Sequence, residues 1–133
     1  MKVVVDTSVW SLALRRRAAT PNSAVVAELS RLIGDGQVVM LGPVRQELLS
    51  GIREPAQFER LREHLGAFPD LTLTAEDYEM AAAFFNACRA KGIQGSNTDF
   101  LICAAAARRG MAVFTTDQDF TAFRKVIRLH LHS

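Results

Sequence analysis

Val3, Val4 and Val5 form a β-branched run with no polar alternation, and it ends abruptly in Asp6. A half-exposed strand alternates apolar and polar side chains, so an unalternated run predicts a strand covered on both faces. The rest of the chain supplies the helices to cover it. A helical pattern begins after Asp6 at Val9, Trp10, Leu12 and Ala13 and fades into Arg15, Arg16 and Arg17. A second helix is predicted to open with Thr20 as N-cap and Pro21 in its first position, and to stop at Gly34 and Gly36. Its apolar stripe is Val25, Val26, Leu29, Leu32 and Ile33. Residues 37–41 read as a second strand, short helices follow Pro43 and Pro55, and residues 71–73 read as a weak third strand. Thr74 to Asp77 fits a capping box opening a helix that runs to about Lys91, and Ser96 to Asp99 opens the next, which ends at Gly110. Residues 111–115 predict a fourth strand, 116–124 a short helical turn and 126–129 a fifth strand.

Strands separated by helices mean a parallel sheet with helices on both faces. The expectation is a mainly parallel sheet of four to five strands between two layers of helices. At 133 residues and 49% hydrophobic, the chain suits one core and is too apolar for disorder. No linker, repeat or low-complexity tract breaks it, so residues 1–133 read as a single domain. No apolar run approaches the ~20 residues of a membrane span, and Asp6 falls where a signal peptide would continue its apolar stretch. Cys88 and Cys103 sit in Ala-rich helical patterns without metal-ligand spacing. They read as reduced, packed thiols of a cytoplasmic protein, a disulfide being the alternative.

In a parallel α/β sheet, ligands bind beyond the carboxyl ends of the strands. Asp6 ends the first strand, Asp117 follows the fourth, Asp99 lies in the first turn of the helix leading back to that strand, and Glu47 follows the second. Four acids, with Asp119 as a fifth, can therefore meet at one edge. Each also has a structural explanation taken singly. Asp6 can cap the next helix, Asp99 and Asp119 can complete capping boxes with Ser96 and Thr116, and Glu47 can be a solvated helix residue. Taken together, crowded carboxylates repel unless a cation sits among them, and an all-oxygen set suits Mg²⁺ or Mn²⁺ rather than zinc.

Four segments carry a family resemblance. Val3 to Trp10 (VVVDTSVW) resembles the opening of PIN-domain ribonucleases, in particular the VapC toxins of bacterial toxin–antitoxin pairs. Val44 to Gly51 (VRQELLSG), Asn97 to Ala106 (NTDFLICAAA) and Val113 to Phe120 (VFTTDQDF) resemble that family's second, third and fourth acidic motifs, in family order. The resemblance implies a three-layer α/β/α, Rossmann-like PIN fold, a Mg²⁺- or Mn²⁺-dependent endoribonuclease, a homodimer and a VapB-like antitoxin that blocks the active site. By position, Asp6, Glu47, Asp99 and Asp117 correspond to the acidic quartet, with Asp6 and Asp99 as the leading metal contacts and Asp119 as an auxiliary acid. The expected chemistry is metal-assisted attack of water in line with the leaving oxygen of an RNA phosphodiester. Thr7, Ser8 and Thr116 are candidates to orient water or phosphate, N-capping being the other role open to them.

Rival classes fit less well. A phosphorelay receiver wants an acid pair at its first strand, where Val5 precedes Asp6. An Asp-nucleophile phosphatase wants a second acid where Ser8 stands. A dinucleotide module wants a Gly-rich first turn, which Asp6 to Trp10 lacks. His64, His130 and His132 lie outside the acid motifs, which disfavours a His-pair ribonuclease. A PIN-fold module that binds RNA or protein without turnover is the remaining alternative. The net charge of +2 argues at first sight against a nucleic-acid partner. Setting the four acids aside leaves 16 basic against ten other acidic residues, a net +6, a modest field for steering RNA. Arg15, Arg16 and Arg17 form the densest basic cluster, read either as RNA or antitoxin contacts or as a solvated helix end. Trp10, Phe84, Phe85, Phe100 and Phe123 read as core or dimer-interface residues.

Overall fold

A computed structural model of the chain describes residues 1–14 and 23–133. β1 (Val3–Val5) is buried along its whole length, as its unalternated valines require. It is the centre of a parallel sheet of order β2-β1-β3, between β2 (Val38–Val39) and β3 (Ala112–Phe114). The connection from β1 to β2 carries α1 (Thr7–Leu14) and α2 (Ser23–Gly34). The return from β2 across to β3 carries α3 (Gly42–Leu49), α4 (Pro55–Leu65), α5 (Ala75–Ala90) and α6 (Asn97–Arg109). These two crossovers run in opposite directions across the sheet, so right-handedness puts their helices on opposite faces. The packing follows this for α1 against α2 and for α5 against α6, which covers β1 and β3; α3 departs from it, since it belongs to the return yet packs against α1 and α4.

The sheet departs from the expected four to five strands. Among the described residues it has three, each outer edge extended by one isolated parallel bridge, Met40 with Asp70 and Val113 with Leu131. Residues 71–73 are not a strand. One ladder bond, from the Leu71 N–H to the Met40 carbonyl (2.9 Å), is all they share with the sheet. Their approach is fixed instead by Arg45 of α3, which donates to Asp70 Oδ1 (2.9 Å) and to the carbonyls of Leu65 (3.0 Å) and Phe68. Residues 126–129 are not a strand either. The turn after α7 (Asp119–Phe123) persists through Val126 and Ile127, whose N–H groups both donate to the Phe123 carbonyl (2.9 Å each). The chain meets β3 only afterwards, and His132 Nε2 then lies 2.6 Å from Glu28 Oε2 of α2. The Arg31 guanidinium and this histidine hold the Glu28 carboxyl down at about 2. The N-cap expected at Thr20 and Pro21 lies outside the described residues.

The face carrying α6 is built from small side chains. Phe100 to Ala106 are seven consecutive buried residues, and the alanines let the helix lie close to the sheet. Both ends of α6 are fixed. Ser96 and Asp99 form the expected capping box at its start, and Gly110, in the left-handed conformation (φ 66°), closes it. At its far end the fully buried Asp77, which caps α5 by accepting the Thr74 N–H (2.8 Å), also receives Arg108 (2.7 Å) and Arg109 (2.7 and 2.9 Å). The two antiparallel helices are thereby locked, and the Arg109 guanidinium with its neighbours holds the Asp77 carboxyl well below the usual carboxylate range. Cys88 and Cys103 are buried and free, so no disulfide joins them. Trp10, the chain's one tryptophan, is buried edge-on against Phe68 with its indole N–H unpartnered.

Candidate active site

The register of the central ladder sets the site. Val5 pairs with Phe114, so the residues just beyond the strands, Asp6 and Thr115, stand opposite each other. The Asp6 N–H donates to the Phe114 carbonyl (2.9 Å), while its own carbonyl accepts the N–H groups of Val9 (3.1 Å) and Trp10 (3.3 Å) that open α1. One residue thus ends a strand and starts a helix, which holds its side chain at the carboxyl edge of the sheet at 5% exposure. The Asp6 Oδ2 atom accepts the Ser8 hydroxyl (2.7 Å) and the Thr115 hydroxyl (2.8 Å), with the Ser8 N–H more distant at 3.4 Å.

Asp99 reaches the same edge from α6. Its Oδ2 accepts the Ser96 N–H (3.0 Å), and its own N–H donates to the Ser96 hydroxyl (3.1 Å). The capping explanation and the cluster explanation therefore both hold. Burial pushes the Asp99 carboxyl above its ordinary value, the Ser96 hydrogen bonds oppose that, and the charges of Asp6 and Asp117 reinforce it. Three carboxylates from β1, α6 and the end of β3 are thus close enough to repel one another. Cys103, one turn further along α6, lies beneath them. Burial pushes its thiol far up, and the charges of Asp99, Cys88 and Asp6 add to the effect.

The remaining acids hold looser positions. Glu47 is exposed on α3 and accepts the Thr7 hydroxyl (2.7 Å), which ties it to the residue after Asp6. Asp117 is half-buried; its N–H donates to Thr115 Oγ1 (3.0 Å), and its Oδ1 accepts the Asp119 N–H (2.9 Å). Asp119 is exposed at the start of α7, where no capping box with Thr116 forms. Thr116 enters through its backbone, donating its N–H to the Ser8 hydroxyl (3.1 Å). The hydroxyl that reaches Asp6 from this segment is that of Thr115, one residue earlier, which the sequence reading passed over. Only the strand register, placing residue 115 beside residue 6, singles it out. Arg15, Arg16 and Arg17 lie outside the described residues.

The donor chemistry fits a hard divalent cation: oxygen ligands only, mutually repelling, at an open edge. The acids do not form a closed cage. Among the described residues, no three His, Cys, Asp or Glu side chains stand close enough to hold an ion between them. Two grooves border the acids along the chain. One of about 550 Å³ between α1, α3 and α4 includes Leu14, Leu48, Arg60 and Leu61; the other, about 410 Å³, includes Tyr78, Phe85, Asn97 and Thr98.

A parallel sheet carrying acids at the ends of its strands and at a helix start defines the class, and a PIN domain model matches residues 3–126. The chain belongs to the PIN-domain family. It is 30% identical over 135 residues to VapC ribonuclease Mb1587 of Mycobacterium bovis and to ribonuclease VapC11 of Mycobacterium tuberculosis, covering 98% of each chain. Among solved structures it is similar to FitAcB from Neisseria gonorrhoeae, with a TM-score of 0.77, 23% identity and coverage of 98% and 96% of the two chains. VapBC2 from Rickettsia felis, solved with a promoter DNA fragment, gives a TM-score of 0.77 at 16% identity over 99% and 98%. At these identities the solved structures establish the fold. No helix among the described residues is long and apolar enough to cross a membrane.

Proposed function

We propose that this chain is a Mg²⁺- or Mn²⁺-dependent endoribonuclease of the VapC type, a cytoplasmic toxin that cleaves RNA phosphodiester bonds and is neutralised by a VapB-like antitoxin. The observation that carries this reading is the approach of Asp6, Asp99 and Asp117 to one sheet edge, where burial raises the Asp99 carboxyl and the charges of the other two add to the effect. The full-length similarity to two proteins named as VapC ribonucleases supports the activity. The similarity to structures described as VapBC supports the antitoxin, and a homodimer whose chain acts as one domain over residues 1–133 belongs to the same proposal.

Asp6 and Asp99 would contact the cation directly, Asp117 and Glu47 would reach it through its waters, and Asp119 is an auxiliary acid. Bound there, a divalent ion neutralises charge developing on the phosphodiester and lowers the pKa of water. Thr7 steers Glu47 toward the edge, and the capping box fixes the Asp99 carboxylate in one rotamer. Purified protein incubated with tRNA and other structured RNA tests the reading. Cleavage is expected with Mg²⁺ or Mn²⁺, and it should be lost with EDTA and in Asp6→Asn. Wild type that binds RNA but cuts nothing in the presence of the ions sinks the nuclease and leaves a binding module. Growth arrest on expression is expected for wild type only; arrest that persists in Asp6→Asn sinks the toxin assignment.

A further inference from the structure

Two hydroxyl groups meet one oxygen of Asp6, and their hydrogen counts fix how. A serine or threonine hydroxyl has one hydrogen to donate and two lone pairs to accept with. An ionised carboxylate accepts only, so the contacts of Ser8 (2.7 Å) and Thr115 (2.8 Å) with Oδ2 consume both hydrogens. No hydrogen is then left for the 3.3 Å approach between the two hydroxyls themselves. Their lone pairs accept instead from the backbone: the Thr116 N–H donates to Ser8 Oγ (3.1 Å) and the Asp117 N–H to Thr115 Oγ1 (3.0 Å). The result is a closed set of four bonds joining the end of β1, the first turn of α1 and the segment after β3. Among the described residues no hydrogen bond engages the other oxygen, Oδ1, and Oδ1 is not among the buried unpartnered atoms. Oδ1 is the oxygen that these four bonds do not use, at the edge that Asp99 and Asp117 share.

We propose that Ser8 and Thr115 are positioning residues that hold Asp6 by Oδ2 and thereby present Oδ1 alone as its ligand to a divalent cation. The inference rests on the proposed metal-dependent nuclease. Both hydroxyls also secure the backbone at Thr116 and Asp117, so the same pair sets the spacing between the Asp6 and Asp117 carboxylates. Hydrogen-bond partners of metal-binding carboxylates change metal affinity about 10- to 100-fold when removed.

The test is Mn²⁺ binding by calorimetry and by electron paramagnetic resonance, on protein free of RNA, for wild type, Thr115→Val, Thr115→Ser and Ser8→Ala. Thermal melts followed by Trp10 fluorescence report the fold of each. Thr115→Val keeps the shape and removes the hydroxyl; it is expected to bind Mn²⁺ about tenfold or more weakly. Thr115→Ser, which restores the hydroxyl, should return affinity to within about threefold of wild type, a rescue that a role in packing alone would not give. Ser8→Ala makes the same test from the other side of the carboxylate and stands in if Thr115→Val fails to fold. Folded Thr115→Val and Ser8→Ala that bind Mn²⁺ as wild type does overturn the inference while leaving the nuclease intact. Wild type that binds no Mn²⁺ and cuts no RNA overturns both.

Discussion

Asp77→Ala is the sharpest test of how the α5–α6 face is held. The carboxylate is fully buried, receives two guanidinium groups and caps α5 through the Thr74 N–H. Removing one partner of a buried ion pair costs about 3–5 kcal/mol, because the other is left uncompensated. Here Arg108 and Arg109 keep 29% and 21% of their side-chain exposure and can recover some hydration, which favours the low end of that range. The lost cap adds about 1 kcal/mol. A total near 4 kcal/mol, set against an unfolding entropy of about 2.1 cal/mol/K per residue, lowers the melting temperature by about 14 °C. Trp10 fluorescence and circular dichroism would follow it. The pH dependence has a definite sign. A carboxyl held below its unfolded value, about 3.9, stabilises fully above that value and loses its contribution as pH falls toward its folded value. The gap between wild type and Asp77→Ala is therefore expected to be widest near neutrality and to narrow below about pH 4. A melting temperature within about 2 °C of wild type at neutral pH would refute the lock.

Two further substitutions separate activity from stability. Asp99→Asn keeps an oxygen to accept the Ser96 N–H but removes a charge that burial and its neighbours already disfavour. In metal-free protein it should melt no lower than wild type, while RNA cleavage falls at least about 100-fold; cleavage at the wild-type rate would remove Asp99 from the site. At Gly95, a Cβ would sit 2.5 Å from Phe123 Cζ and 2.9 Å from Phe100 Cε2, two rings with no room to move. Gly95→Ala should cost about 1–3 kcal/mol in the melt, whereas an unchanged melting temperature would mean that the loop before α6 gives way freely.

The helices were legible wherever their signals are local. The Thr74–Asp77 and Ser96–Asp99 capping boxes and the glycine stop at Gly110 are written within a few residues, and α5 and α6 begin and end where those residues put them. The valine run predicted a strand covered on both faces, and β1 is one. Residues 71–73 and 126–129 misled because a strand exists only through its neighbour. Their apolar composition is real, but Arg45 holds the approach to one and the turn after α7 absorbs the other. Strand ends and helix starts pointed to one edge for four acids; the fold brings Asp6 and Asp117 within electrostatic reach of Asp99, while Glu47 is tied to Thr7.

What the chain by itself determined, then, is which elements form and which carboxylates they carry, because capping and apolar patterning act over a few residues. Only the folded structure decided how those carboxylates are held. The register setting residue 6 beside residue 115 joins parts of the chain 109 residues apart, and no local pattern encodes it. That register made Thr115, rather than Thr116, the hydroxyl on Asp6. The capping bond of Asp99 is local, but its nearness to the charges of Asp6 and Asp117 comes only with the fold.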